Sequence, residues 1–195
     1  MAKSFFLIVL LLILLFSPTI FTQQKVYGQE NTEKPISTPT IDTTPAIIKY
    51  DLAYPGILPD NPLYKLKVLR DKISVGLIVD PKNKLEFYLL QTDKGILAAA
   101  MLVDKKNIKL AKETALKAEN NITLLTYNLW RLPKKLDNAF YNKLRTASLK
   151  HQEVLSSLEK RVSNEDAKIF REVIEFSKRN WTTIENYQND IDKNV

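Results

Sequence analysis

From Ile108 through Ala111, Ala115, Ala118, Ile122, Leu125 and Leu129 to Leu132, apolar residues return at alternating steps of three and four. That is the period of one helix face and the seam of a helical hairpin, and it is incompatible with the two-residue alternation of a strand. Pro133 ends the stretch, because it lacks a backbone donor and disfavours helical geometry in the residue before it. The same period recurs on both sides of this segment. With only four glycines in 195 residues and no alternating stretch, the chain reads as all-α.

Four further helices are expected. Asp60-Asn61-Pro62 offers polar caps before a proline in the first turn, and Leu63, Leu66, Leu69, Ile73 and Leu77 follow as an inward stripe. Asp80-Pro81 repeats the device and opens a helix carrying Leu85, Leu89, Thr92, Ile96, Ala99 and Leu102 on one face. Asp104 to Asn107 reads as a polar turn into the Ile108 helix, whose alanines would face Gly95, Ala98 and Ala99 and let two backbones come close. A helix from about Lys134 to Val162 turns Leu136, Phe140, Leu144, Ala147, His151, Leu155 and Leu158 inward. Ser163-Asn-Glu-Asp166 resembles a capping box and opens a last helix through Phe170, Ile174, Ser177, Trp181, Ile184 and Tyr187. Short connections imply antiparallel neighbours, so residues 50–195 should form a bundle of about five helices built as two long hairpins.

The region before the bundle differs in composition. Phe5 to Phe16 is an unbroken apolar run behind Lys3, and at helical rise it spans ~18 Å against the ~30 Å hydrocarbon core of a bilayer. Residues 1–28 are therefore expected to be a signal peptide, with Val26-Tyr27-Gly28 as the cleavage site, or an N-terminal membrane anchor if left uncleaved. Residues 29–49 are rich in Thr, Ser and Pro and poor in large apolar residues, the composition of a disordered spacer. The chain has no cysteine, so neither a lipidated cysteine nor a disulfide is available. Removing residues 1–28 takes away Lys3 and Lys25 and no acid, which lowers the formal charge from +7 to +5. So mild a basic balance fits loose attraction to anionic surfaces and selects no partner.

Leu58-Pro59-Asp60-Asn61-Pro62-Leu63-Tyr64, continued by Lys65-Leu66-Lys67 and followed by Val79-Asp80-Pro81 and a pair of helices, resembles a bacterial exported family of unknown function. Its members carry an "LPDSPLYPLKR"-like segment ahead of a helical domain with an "FDP"-like break. The likeness covers roughly Tyr54 to Leu132. Asn61 stands for the usual Ser and Lys65 for the usual Pro, and the Arg-Leu-Ala-rich second helix associated with the family is missing. The resemblance implies a helical exported domain and no activity. The nine named residues, Leu58 to Tyr64 with Asp80 and Pro81, are expected to be structural: the first seven clamp the start of the first helix by caps and a hydrophobic staple from Leu58 and Leu63, and Asp80-Pro81 opens the second.

Catalytic and metal-binding constellations do not emerge. The only histidine, His151, has Ala147, Ser148, Val154 and Leu155 as helical neighbours, with no carboxylate or second ligand, so it reads as a packed residue. Asp190-Ile-Asp192-Lys-Asn194 mimics the opening of a calcium loop without its glycine or distal glutamate, and Glu172 with Glu175 is an acidic pair on one helix. Asp71, Glu86, Glu113 and Glu119 sit among lysines at helical spacing and read as a solvated surface. Lys65, Lys67, Arg70 and Lys72, and a second set on the fourth helix, are interleaved with acids and accompany no nucleic-acid motif. Tyr127, Trp130, Tyr141 and Trp181 fall at core spacing, while the sequons at Asn121 and Asn180 fall inside helices.

Together these readings predict an exported, non-catalytic helical domain, without metal or cofactor, that binds a protein or a cell-envelope component. The alternative is an envelope stress or ligand sensor that takes a cation or a small apolar molecule between its helices. An exposed apolar or basic face separates the first from the second, which needs a pocket with converging polar groups.

Overall fold

Asp80 ends an extended stretch of backbone and its carboxylate accepts from Asn83 N at 2.8 Å, with Pro81 in the first turn behind it. This cap starts the first of four long helices in the computed structural model, which describes residues 48–132 and 134–193. Among these residues there are five helices and no strand: α1 (Tyr64–Leu77), α2 (Pro81–Asp104), α3 (Ile108–Leu129), α4 (Asn138–Glu159) and α5 (Asn164–Lys193). The expected leader, nearly all of the spacer, and Pro133 lie outside the described residues.

Each turn between the long helices follows from local chemistry. After α2, Lys106 takes φ 62°, and Lys106 N and Asn107 N donate back to Val103 O and Leu102 O, both at 2.9 Å. These are the paired bonds of a Schellman motif, closed here by a lysine in place of the usual glycine. Asn107 then caps α3 by accepting from Leu110 N. Asp137 caps α4 by accepting from Phe140 N at 2.8 Å, so this helix starts four residues later than the expected Lys134. Ser163 caps α5 from its hydroxyl, which accepts from Asp166 N and donates to Asp166 Oδ2.

The hairpins α2/α3 and α4/α5 bury facing stripes against each other. In α2/α3 the small-residue seam is as close as expected: a Cβ placed on Gly95 would fall 2.5 Å from Ala118 Cβ. Two apolar cores result. One gathers Leu85, Leu89, Leu125, Leu129, Phe140, Leu144, Ile184 and Tyr187, and the other Ile96, Leu102, Ala115, Leu155, Leu158, Phe170 and Val173. Ion pairs of the two hairpins close both ends: Lys82–Asp137 at one, Arg161–Asp104 and Lys112–Asp166 at the other.

The first helix departs from expectation. Its Leu63, Leu66, Leu69, Ile73 and Leu77 are between 55% and 74% exposed, and no residue of α1 is buried. The half-buried face is instead Tyr64, Lys67, Val68, Asp71, Ser74 and Val75, a run of three and four spacings on the other side of the same helix. The reason lies in the surface beneath. Tyr64 and Lys67 rest over Gln91, Lys94, Lys117 and Asn121, so α2 and α3 present polar side chains to this end of the helix, and further along Val75 packs against the first core.

Candidate functional site: an apolar face on the first helix

The segment Leu58–Tyr64 delivers the chain to α1. Leu58 is buried and Pro59 half-buried, while Asp60 leaves the cap position and pairs with Lys105 Nζ at 2.8 Å across the α2/α3 turn. Asn61 makes the bond a cap would make: its Oδ1 accepts from Leu63 N at 2.9 Å, and its carbonyl accepts from Tyr64 N at 3.0 Å. Pro62 therefore sits in a lead-in turn, two residues before the regular helix. Leu63 does not fold back as a staple residue. It is 56% exposed and heads the outward stripe.

Beyond the helix end Val79 is 93% exposed as well. Burying a leucine-sized side chain is worth about 1.5–3 kcal/mol, so covering five that are more than half exposed would release on the order of 5 kcal/mol. On the helical wheel Arg70 falls at one edge of the stripe, in line between Leu77 and Leu63, and Lys65 and Lys72 border the other edge. Across Tyr64–Leu77 there are four cations and one anion. Lys67 lies 5.3 Å from the Tyr64 ring centroid, and its pKa is lowered mainly by burial, with Lys94 and Arg70 adding to the shift and Asp71 opposing it. The outward face of α1 is thus an exposed apolar stripe with basic residues beside it.

A second feature was not foreseen, a buried polar layer between the two apolar cores. His151, with no exposed surface, places Nε2 2.7 Å from Asp93 Oδ1, and Tyr50 donates to Asp93 Oδ2 at 2.8 Å. Burial, then the Asp93 hydrogen bond, push the Tyr50 hydroxyl well above its ordinary pKa. The arrangement fastens the chain segment ahead of α1 to α2 and α4. Across the layer, Glu119 is 2% exposed and so is no part of a solvated surface; burial lifts its pKa to about 8, against the opposing hydrogen bonds from Asn180 and Ser177. Asn180 Nδ2 donates to Glu119 Oε1 at 2.9 Å, which also removes that sequon from solvent. The signal was present in the spacing. Asp93 stands four after Leu89 and three before Ile96, and Glu119 four after Ala115 and three before Ile122.

Other expected features fall differently. Tyr127 and Trp130 are 71% and 65% exposed in place of lying in the core, though Trp130 still meets Tyr187 edge-on at 5.0 Å between ring centres. Tyr141 and Trp181 pack against the core as expected, 5.5 Å apart. Glu175 pairs with Lys178, and among the described residues no group of three His, Cys, Asp or Glu side chains is placed to hold a metal. At one end of the bundle, Pro81, Leu132, Leu136 and Phe140 line a mainly apolar groove of about 410 Å³ bordered by Asp80, Lys82 and Asp137. No helix of the described residues is long and apolar enough to cross a membrane.

No curated protein and no solved structure matches the chain. One family does, over residues 56–165, a span that runs from the lead-in turn through α1, both hairpin turns and the start of α5 and so takes in the exposed stripe. The chain belongs to the family described as Domain of unknown function (DUF5667).

Proposed function

We propose that this is an exported, non-catalytic helical domain that binds a protein or another component of the cell envelope through the outward face of α1, tethered or released according to whether residues 1–28 are cleaved. The single observation that carries the reading is the leucine stripe of α1, directed to solvent by a helix that turns its mixed face of Tyr64, Lys67, Val68, Asp71, Ser74 and Val75 to the bundle. The apolar run Phe5–Phe16 and the Thr/Pro-rich stretch after it support export. A photo-crosslinker carried at Leu66 of the full-length protein in intact cells should form adducts with an envelope component, and one carried at the exposed Glu172 of α5 should not. Equal labelling from the two positions, or none from Leu66, contradicts the reading.

The second reading, a sensor that takes a small apolar molecule, draws on the groove beside Leu136 and Phe140. It predicts that a medium-chain alcohol shifts the NMR resonances of those two residues at concentrations that leave α1 unchanged. Unshifted resonances remove it.

A further inference from the structure

Resting on the binding role just proposed, we infer that the partner of α1 is an anionic lipid surface: the helix lies in the bilayer interface, its leucine stripe among the upper acyl chains and Lys65, Arg70 and Lys72 among the phosphates.

The argument begins with charge. An interfacial helix combines an apolar face with cations along its borders, where the side chains reach past the buried stripe to the headgroups. In α1 the cations stand on both borders of the stripe, so the helix can settle without burying a charge. Arg70 Nε and Nη2 both donate to Asp71 Oδ1, which leaves further guanidinium donors for a phosphate. Pairing with a second copy of this helix is disfavoured by the same pattern, since each copy carries four cations against one anion.

The absence of cysteine from the chain allows a single reporter position. Full-length protein carrying Leu69→Cys or Glu172→Cys is labelled with an environment-sensitive fluorophore. It is then mixed with vesicles of phosphatidylcholine alone or of equal parts phosphatidylcholine and phosphatidylglycerol, each with and without nitroxide-bearing acyl chains. The label at 69 should shift to the blue and be quenched by nitroxide on the anionic vesicles only, with the label at 172 remaining aqueous on both. Lys65→Gln and Lys72→Gln should each weaken the partition of the label about fivefold, the factor equivalent to ~1 kcal/mol per basic residue at an anionic surface.

Because the reporter is on α1, attachment through residues 5–16 does not mimic the result. A label at 69 that stays aqueous on anionic vesicles overturns the lipid assignment. If that label is nevertheless shielded on isolated cell envelopes, a protein component is the partner and the binding role stands; if it is aqueous there too, both fall. Shielding that grows with protein concentration in the absence of lipid assigns the face to a second copy. Shielding indifferent to lipid charge and to both lysine substitutions also overturns the proposal.

Discussion

Glu119 is the residue whose chemistry is most at odds with its surroundings. Its folded pKa, near 8, stands above its ordinary value of 4.5, so the folded chain holds this proton through a pH window in which the unfolded chain has released it. A raised carboxyl contributes its full stability below pH 4.5 and loses it as pH rises through about 8. Glu119→Gln keeps an acceptor for Asn180 and removes the titration. The variant should gain stability over wild type between pH 5 and 9 in thermal unfolding, on the order of a few kcal/mol at the upper end. Parallel pH profiles for the two proteins would show that Glu119 is not buried as described. At Gly95 two effects oppose each other: Ala is the better helix former by about 1 kcal/mol, while its methyl would meet Ala118 Cβ at 2.5 Å and overpacking costs about 1–3 kcal/mol. The clash should win, and Gly95→Ala should lower the midpoint of denaturant unfolding.

At the scale of the helix, legibility depended on whether a face had a reciprocal one. The stripes of α2 to α5 were readable because each supplies the other's cover. Leu89, Leu125, Leu144 and Ile184 recur at the right spacing and meet in one core. In α1 the period was equally clear, but periodicity shows that a helix has an apolar side and not which surface will cover it. The competing information was on α2 and α3, whose Gln91, Lys94, Lys117 and Asn121 offer polar company to Tyr64 and Lys67. The buried polar layer was missed for a related reason. The helix that carries His151 offers it no partner, because Asp93 is 58 residues away on α2. The two kinds of stripe make opposite predictions. Leu66→Ser with Ile73→Ser should move unfolding free energy by no more than about 0.5 kcal/mol, as surface changes do, whereas Leu125→Ala should cost about 2–5 kcal/mol. Equal losses from both would place the α1 stripe in the core after all.

The described residues form a four-helix bundle closed by its own two hairpins, with a fifth helix laid against it on the face of Tyr64, Lys67, Asp71 and Val75. A structure that needed α1 for stability would have turned the leucines inward; this one holds them out, while Asp60–Lys105 and the Tyr50–Asp93–His151 bonds fasten the chain ahead of the helix to the bundle. The stripe's exposure makes α1 an element whose own stability is low, and the proposed binding role is what would cover it. Amide hydrogen exchange of the full-length protein, with and without vesicles containing phosphatidylglycerol, tests this most directly. The account predicts that residues 64–77 exchange much faster than α2 to α5 in the lipid-free chain, and that the vesicles raise protection there while leaving the four long helices unchanged. Protection of α1 equal to that of the bundle without lipid, or no gain on the vesicles, would contradict it.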